Sequence, residues 1–311
     1  MRVSFGGGDS VAAIPSKLKA GDRVRFVSPA STPEREGIAR RAEILESWGL
    51  KVDFGRHAFE KKAYLAGTDE ERLADLNEAI NDPEIRGIFS TRGGKGSYRI
   101  ADRLDFDGVQ KDPKFPIGFS DITMLHLSLY KRCGLIGLHG ALAAEEDGNF
   151  SAENSEALRR ALMQPGFAAV LSRPEEPTSA LTTGGTANGR LIGGNLDMVA
   201  MAVGWALPDL RGAILLLEVV NMHIGQVDRQ LTMLRKAGHL NGLGGVALGQ
   251  FTGFDLKSDF SVINLLREHL DALDVPVLGG LPLGHGSRPL VVPIGTTARL
   301  DTAAGTLSFP D

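Results

Sequence analysis

Ser120 lies in the segment KFPIGFSDITMLHLSLY (residues 114–130), where an apolar run ends at Gly118 and an amphipathic helix pattern begins directly after the serine. On a tight strand-to-helix turn, a serine hydroxyl projects from the sheet, and the first N–H groups of the helix point toward what it attacks. The pattern predicts a nucleophilic serine and acyl-transfer chemistry. Because Ile122 stands where G-x-S-x-G requires its second glycine, the α/β-hydrolase fold is not implied.

A serine nucleophile needs a base, usually histidine, and a carboxylate that orients that base. Glu218 stands near the end of the apolar run AILLLE, and His285 lies between two glycines in GLPLGHGSRP. Taken singly, each has a structural alternative: a solvent-facing or ion-paired strand-end glutamate, and a loop histidine. His139, in GLHG, also follows a predicted strand and is the only rival base.

The glycine-rich segment TRGGKGS (residues 91–97) follows another predicted strand. Gly93 and Gly94 could expose backbone N–H groups as half of an oxyanion hole, with the N–H of Asp121 as the other half. The phosphate-loop pattern fails, because Phe89 and Gly96 occupy positions that require Gly and Ser or Thr. A glycine-rich turn without a catalytic role is the remaining alternative.

The other reactive side chains point away from cysteine or metal chemistry. Cys133 ends a predicted helix, where the helix dipole raises a thiol pKa, so we interpret it as structural. The histidines lack the spacing of metal ligands, and we expect no metal or other cofactor.

The composition is that of an ordinary globular protein. The chain has 311 residues, 42% of them hydrophobic and 23% charged, with a formal net charge of −4. That charge leaves no basic surface for nucleic acid or an anionic membrane, and no apolar run is long enough to span a bilayer. One cysteine excludes an internal disulfide, and no apolar signal segment is visible near the start. We therefore expect a cytoplasmic protein.

Alternating strand and helix patterns must position these residues. They predict parallel βαβ units in a doubly wound sheet. Predicted strands are Val24–Val27, Val52–Phe54, Ile85–Ser90, Leu135–Leu138, Arg190–Ile192, Ala213–Val220 and Val246–Gln250, with a closing hairpin of Thr297–Leu300 and Thr306–Phe309. Predicted helices are Pro33–Trp48 with Thr32 as N-cap, Asp69–Asn81, Tyr98–Leu104, one within Phe150–Pro165, Leu196–Val203, Ile224–Ala237 and Phe260–Leu270.

Composition also suggests a division of the chain. The stretch of residues 172–189 is rich in Pro, Thr, Ser and Gly and is the best linker candidate. We predict an N-terminal domain over residues 1–171 that carries the nucleophile, and a C-terminal α/β domain over residues 190–311 that carries the acid and the base.

Seven segments together resemble the LD-carboxypeptidase family of serine peptidases, which includes the microcin C self-immunity hydrolases. They are GDRVRFVSPAS, RGGKGS, GFSDIT, LIGGNL, ILLLE, VDRQLTMLRKAG and GLPLGHGSRPLVVPIG, and they run in order from about Gly21 to Phe309. The resemblance implies a flavodoxin-like N-terminal domain, a smaller α/β C-terminal domain, a site between them and a homodimer.

The resemblance also implies roles for individual residues. The nucleophile, acid and base of the family fall on Ser120, Glu218 and His285, and its oxyanion donors on the backbone of Gly94 and Asp121. Arg92 and Asn195 match positions near the substrate in relatives.

Two departures from the family pattern concern the substrate. Lys95 replaces a frequent aromatic residue, and Met222-His223 lies where relatives often carry an acidic residue and a Pro/Tyr-rich turn. Lys95 and Arg92 are candidates to pair with a substrate carboxylate, or else are solvated surface charges.

The leading hypothesis is hydrolysis of an amide next to a free carboxylate, in a murein-derived L,D-peptide. An alternative within the same chemistry is hydrolysis of peptidyl- or aminoacyl-nucleotide antibiotics, against which the absence of Trp and Tyr from residues 172–189 argues mildly. From another class, the alternative is a non-catalytic binding protein that retains the fold. The expected partner is a small peptide or peptide conjugate.

Overall fold

Strands and helices alternate along the residues that the computed structural model describes, which are 12–140, 142, 152–256 and 259–310. The strands are β1 (Arg23–Val27), β2 (Lys51–Phe54), β3 (Ile85–Ser90), β4 (Phe115–Gly118), β5 (Gly137–His139), β6 (Phe167–Leu171), β7 (Thr186–Asn195), β8 (Ile214–Val220), β9 (Gly245–Thr252), β10 (Val277–Leu278), β11 (Val292–Ile294), β12 (Thr297–Asp301) and β13 (Thr306–Phe309). The helices are α1 (Arg35–Ser47), α2 (Asp69–Asn81), α3 (Phe106–Lys111), α4 (Thr123–Cys133), α5 (Ala152–Met163), α6 (Leu196–Met201), α7 (Ile224–Lys236) and α8 (Val262–Asp271).

The first sheet has the strand order β11-β5-β4-β3-β1-β2. Strands β1 to β5 pair in parallel and have the flavodoxin-like order 2-1-3-4-5. Strand β11 adds to β5 in the antiparallel direction, with Val292 opposite His139. In such sheets the carboxyl ends of the strands lie at one edge, so the residues that follow β3, β4 and β5 are brought together.

The second sheet has the order β10-β9-β8-β7-β12-β13-β6. Strands β7 to β10 pair in parallel, whereas β12, β13 and β6 are antiparallel. Strand β8 is buried except at its last residue, as its apolar sequence requires. The fold class predicted from the sequence, a flavodoxin-like sheet followed by a second α/β unit, is confirmed.

Helix α1 starts later than predicted. Its N-cap is Glu34, and Thr32 makes no cap. The Thr32 hydroxyl instead contacts the backbone carbonyls of Glu60 and Leu65, both at 2.9 Å. Contacts that are distant in sequence therefore override the local capping pattern.

The predicted helix over Tyr98–Leu104 is wrong. Only a single 3₁₀ turn, Ser97–Arg99, forms there, and the helix of this region is α3. Asp105 caps α3 by accepting a hydrogen bond from the Gly108 N–H at 3.0 Å. Asp is a preferred N-cap residue, so a start signal was present at Asp105, directly after the end of the predicted helix at Leu104.

Residues 172–189 are more ordered than a linker. They contain a 3₁₀ helix, Pro177–Leu181, and the first residues of β7. Strand β6 precedes this stretch yet pairs with β13 of the second sheet. The chain thus enters the second sheet before residue 172, while the division at 171 and 189 stays a prediction.

The remaining helices have the predicted positions to within a few residues, α2 with a capping box between Thr68 and Glu71. The helix predicted within Phe150–Pro165 is α5, Ala152–Met163. The first two residues of the predicted range, 150 and 151, lie outside the described residues. Within the described ranges, every helix is too short or too polar to cross a bilayer.

Candidate functional site

A cavity of about 1220 Å³ lies between the two sheets. The end of β4, the turn after β3 and the start of α1 line it from the first sheet, and the ends of β7 and β8 line it from the second. Of the residues predicted to form the site, those at the cavity wall are Arg92, Gly93, Gly94, Lys95, Ser120, Asp121, Asn195 and His285. Glu218 is fully buried behind His285.

Ser120 occupies the turn between β4 and the short 3₁₀ helix Ser120–Ile122, which runs directly into α4. Its φ angle is 62°, in the left-handed region that L-residues other than Asn and Asp rarely adopt. Gly93 packs against it, because a Cβ built on Gly93 would lie 2.8 Å from Ser120 Cβ. Strained backbone of this kind clusters at functional sites.

The imidazole of His285 and the carboxylate of Glu218 are hydrogen-bonded, with 2.7 Å between Nδ1 and Oε2. The other carboxylate oxygen accepts a hydrogen bond from Asn195 Nδ2 at 3.1 Å. Glu218 therefore has a partner for each oxygen, which offsets much of the cost of burying its charge. The paired Nδ1 leaves Nε2 of His285 as the nitrogen available to a substrate or a nucleophile.

Among the described residues, no hydrogen bond joins Ser120 to His285. The ring of Phe119, the neighbour of Ser120, instead contacts the His285 ring, with centroids 4.7 Å apart and planes inclined by 44°. Ser120 and His285 thus line the same cavity without a hydrogen bond between them, and catalytic hydrogen bonds are often long until substrate is bound.

The turn after β3 is held from the side by Ser31. The Ser31 N–H donates to the Gly93 carbonyl at 3.3 Å, and Ser31 Oγ accepts from the Lys95 N–H at 3.1 Å. Gly94, between them, has φ +106°, and a Cβ there would lie 2.4 Å from Ser31 Oγ. Only glycine fits this position, and within the described part of the chain its N–H donates to no protein group.

Asp121 connects that turn to the serine turn. Its buried carboxylate accepts from the Ser97 N–H at 2.8 Å, and Ser97 Oγ donates to the Asp121 carbonyl at 2.6 Å. Burial raises the pKa of Asp121, and the hydrogen bonds from Ser97 oppose that rise. The two turns that present Gly94 and Ser120 are therefore one connected structure.

The three predicted substrate-binding residues differ in exposure. Arg92 and Lys95 are exposed at the cavity, and Arg92 makes one long hydrogen bond, 3.4 Å, to the Thr32 carbonyl. Asn195 is 7% exposed and supports the site instead, since its backbone N–H donates to Thr123 Oγ1 at 3.0 Å and links β7 to α4.

Gln250 was not predicted from the sequence, and it holds the loop that carries His285. Its Oε1 accepts from the Gly286 N–H at 2.7 Å, and its Nε2 donates to the Ser287 carbonyl at 3.1 Å and to Glu176 at 2.7 Å. A signal was present, because Gln250 is a polar residue inside the apolar run of β9, just as Glu218 is in β8.

His139, the rival base, is fully buried beside Phe119 and His126. Burial lowers the pKa of His139 to about 3 and that of His126 to about 4. A group with so low a pKa is a weak proton acceptor near neutral pH. Burial also raises the pKa of Cys133 to about 11, which keeps it an unreactive thiol.

These buried histidines predict a pH-dependent stability. They are neutral when folded, but in the unfolded chain they bind protons below about pH 6.5. The buried, neutral histidines therefore stabilise the fold above about pH 6.5, and this stabilisation is lost as the pH falls toward their folded pKa values of about 4 and about 3. Between pH 7 and pH 5 the unfolding free energy decreases by about 2 kcal/mol per histidine. We expect His139→Leu to reduce the difference in unfolding free energy between pH 7 and pH 5, measured by urea denaturation. If His139→Leu has the same difference in unfolding free energy as the wild type, His139 does not have a lowered pKa in the folded protein.

Within the described residues, no group of three or more His, Cys, Asp or Glu side chains could hold a metal ion. The polar groups at the cavity include the Ser120 hydroxyl, the paired imidazole of His285 and the backbone N–H of Gly94, and groups of these types are suited to acyl transfer.

Comparison with known proteins gives consistent matches. Residues 24–140 match the model of the LD-carboxypeptidase N-terminal domain, and residues 188–300 that of the C-terminal domain. The murein tetrapeptide carboxypeptidase of Pseudomonas aeruginosa is 32% identical over 286 residues, covering 90% of this chain and 93% of the relative.

Solved structures agree. The wild-type microcin C7 self-immunity protein superposes with a TM-score of 0.85 at 25% identity, over 96% of this chain and 98% of the other. The muramoyltetrapeptide carboxypeptidase of Oxalobacter formigenes superposes with a TM-score of 0.81 at 27% identity, over 93% of this chain and 99% of the other.

Proposed function

Since the chain belongs to the LD-carboxypeptidase family, we propose that it is a serine-type carboxypeptidase with Ser120 as nucleophile, His285 as base and Glu218 as the acid that orients the base. The observation that carries the proposal is the 2.7 Å hydrogen bond between His285 and buried Glu218, at a cavity that Ser120 also lines.

The proposed reaction begins with attack of Ser120 Oγ on the amide carbonyl carbon. His285 Nε2 takes the hydroxyl proton and then gives it to the leaving amine, which forms an acyl-enzyme. A water molecule, deprotonated by the same imidazole, hydrolyses the ester. The backbone N–H groups of Gly94 and Asp121 stabilise the oxyanion in both steps.

The proposed substrate is a murein-derived peptide cut beside its free C-terminal carboxylate. Relatives named for this activity support the choice. Arg92 and Lys95 are exposed cations at the cavity, and an Arg or Lys side chain pairs well with a carboxylate. They are the residues proposed to recognise that end of the peptide.

A second candidate is hydrolysis of an aminoacyl-nucleotide conjugate, favoured by the structural match to the microcin C7 self-immunity protein. The test is a hydrolysis screen with an L,D-tetrapeptide ending in D-alanine, its C-terminal amide and an aminoacyl sulfamoyl adenosine. We expect release of D-alanine from the free acid only. Cleavage of the nucleotide conjugate alone would favour the second candidate, and no turnover of either would favour a binding protein.

The glycine turn yields a prediction for the proposed oxyanion site. Gly94→Ala places a methyl group against Ser31 Oγ and strains the backbone at φ +106°, so the Gly94 N–H moves. We expect kcat to fall about 100-fold, the usual effect of losing one oxyanion donor. Steady-state kinetics on the D-alanine-releasing peptide measure this.

Gly21→Ala is the matched control. Gly21 has a similar φ, +93°, but nothing within 4 Å of a built Cβ, and it does not line the cavity. This variant bears the same backbone strain and should keep its kcat. If both variants lose activity equally, the loss comes from stability and the role of Gly94 is refuted.

The homodimer and the cytoplasmic location belong to the same proposal. The homodimer follows from the resemblance, and sedimentation equilibrium, which measures the mass in solution, tests it. The location follows from the composition, and localisation of a tagged chain tests it.

A further inference from the structure

The loop that carries His285 is rich in glycine, so its own sequence does not fix one conformation. The loop is closed at its base by the Leu290 N–H, which donates to the Pro282 carbonyl at 2.7 Å. Gly284 and Gly286 flank His285, and Gly284 has φ +116°, which other residues rarely adopt. The place of the imidazole therefore depends on contacts that the loop makes with the rest of the protein.

Strand β9 supplies the central contact. Before the loop, the chain pairs with the backbone of this strand: the Leu281 N–H donates to the Leu248 carbonyl at 3.2 Å, and the Gln250 N–H donates to the Leu283 carbonyl at 2.8 Å. Within the loop a side chain replaces the backbone, since Gln250 Oε1 accepts from the Gly286 N–H at 2.7 Å. Gln250 thus continues the ladder of hydrogen bonds past the point where the loop leaves the strand.

The loop backbone also lies directly on the side chains of Glu218 and Gln250. A Cβ built on Gly284 would lie 2.7 Å from Glu218 Oε2, and a Cβ built on Gly286 would collide with the Gln250 amide. Residues with a side chain do not fit at either position. Glu218 therefore holds the ring of His285 through Nδ1, whereas Gln250 holds the backbone one residue further on.

The orientation of the Gln250 amide is set by Glu176. A carboxylate only accepts hydrogen bonds, so Gln250 Nε2, which lies 2.7 Å from Glu176 Oε1, is the donor there. The same NH₂ group donates to the Ser287 carbonyl at 3.1 Å, which leaves the amide oxygen for the Gly286 N–H. Gln250 is 1% exposed, and both polar atoms of its side chain have partners.

We propose that Gln250 is a positioning residue of the base and that Glu176 fixes the orientation of its amide. Gln250 holds the loop where His285 Nδ1 meets Glu218. Neither Gln250 nor Glu176 is among the described residues that line the cavity, so both act through the loop. The inference rests on the proposed role of His285 as base. It gives residues 172–189, predicted as a linker, a part in the site.

Gln250→Met keeps the length of the side chain and removes its three hydrogen bonds. We expect kcat for the release of D-alanine to fall about 10- to 100-fold, because a small displacement of a catalytic group is costly. KM should change less than about 2-fold, since Gln250 does not line the described cavity. Steady-state kinetics measure both constants. A kcat within about 3-fold of the wild-type value overturns the inference.

Nuclear magnetic resonance measures the state of the base without any substrate. With isotope-labelled histidine, the shifts of the ring nitrogens report which nitrogen carries the proton, and His285→Asn assigns the signals by their absence. At about pH 8, above the ordinary pKa of histidine, we expect His285 to carry its proton on Nδ1 in the wild type. In Gln250→Met both tautomers should be populated, and an unchanged tautomer overturns the inference.

Exchanging the two partners tests the role of Glu176. Gln250→Glu alone places a second carboxylate against that of Glu176 and should lower kcat at least about 10-fold. Adding Glu176→Gln restores a donor opposite the new carboxylate and leaves the total charge unchanged, so about 3-fold or more of the loss should be recovered. A double variant no more active than Gln250→Glu overturns the inference. This pair keeps the buried position polar, so the test remains decisive if Gln250→Met does not fold.

Thr178→Val is the matched control for lost stability. Thr178 is 1% exposed, and its hydroxyl donates to the Gly249 carbonyl at 3.1 Å and accepts from the Gly280 N–H at 3.0 Å. The variant thus loses buried hydrogen bonds to the same strand and the same segment, outside the loop of His285. It should unfold at a lower temperature but keep its kcat and the His285 tautomer. If it loses both as Gln250→Met does, the effect is general and the positioning role is refuted.

The two measurements keep this inference apart from the proposed function. If the wild type hydrolyses none of the peptides while Gln250→Met alters the His285 tautomer, the carboxypeptidase proposal fails and the positioning role stands. If the peptide is hydrolysed and Gln250→Met changes neither kcat nor the tautomer, the positioning role fails and the proposed function stands.

Discussion

Ser120→Gly is expected to abolish turnover and at the same time to increase the free energy of unfolding. Without the hydroxyl no acyl-enzyme forms, and loss of a nucleophile from such a triad lowers kcat by about 10⁶. The gain in stability comes from the φ angle of 62° at this residue.

The stability change has a definite size. The left-handed conformation costs an L-residue roughly 1–2 kcal/mol, and glycine adopts it freely. Glycine also increases the entropy of the unfolded chain, at a cost of about 0.4–1 kcal/mol. The net increase in unfolding free energy is about 0.5–1 kcal/mol, measurable by urea denaturation. Ser120→Ala, which keeps the strain, should lose turnover without this gain.

Ala63 offers a matched control. It is an exposed non-glycine residue with φ 57°, outside the cavity lining. Ala63→Gly should give a similar increase in unfolding free energy with unchanged kinetics. If Ser120→Gly retains a substantial part of its activity, Ser120 is not the nucleophile, whatever its effect on stability.

Glu218→Gln is expected to lower kcat by about 10⁴ with a much smaller change in KM. The carboxylate accepts from both neighbours, from His285 Nδ1 and from Asn195 Nδ2. An amide of the same shape has one acceptor. If that oxygen stays with Asn195, the amide NH₂ faces His285 Nδ1 and favours the tautomer whose Nε2 carries the proton, which cannot take a proton from Ser120.

Steady-state kinetics with the peptide that releases D-alanine measure the effect, and thermal unfolding verifies that the variant folds. Glu218→Asp is the informative comparison, because it keeps two acceptors on a shorter side chain and should retain more activity than the amide. A Glu218→Gln enzyme within 10-fold of wild type would show that another group orients the base.

Much of the site could be predicted because its residues stand at strand ends. A polar residue that interrupts or follows an apolar run, as at Ser120 and Glu218, is visible in one sequence, and parallel sheets collect such residues at one edge. The family resemblance then singled out His285 rather than His139. The two histidines differ in burial, since His139 is fully buried and His285 is partly exposed. The burial of one side chain cannot be predicted from the residues next to it in sequence.

The remaining features depend on contacts between distant segments. Gln250 was missed although it shows the same signal as Glu218, because its role depends on the loop that it holds. Ser31 lies in a family motif, but its close contact with Gly94 and its hydrogen bond with Lys95 join residues that are far apart in sequence. The predicted N-cap at Thr32 is wrong for the same reason, because the Thr32 hydroxyl contacts the backbone carbonyls of Glu60 and Leu65 instead.

Strand β11 has a consequence for the order of events during synthesis. It is the last strand of the sheet that carries Ser120, yet it is made after the whole parallel part of the second sheet and follows closely behind His285. A nascent chain can assemble β1 to β5 early, but the edge at β5 stays unpaired until β11 has left the ribosome. Completion of the sheet that carries Ser120 and synthesis of His285 therefore nearly coincide, and a chain that ends before His285 has neither a complete first sheet nor a complete cavity wall.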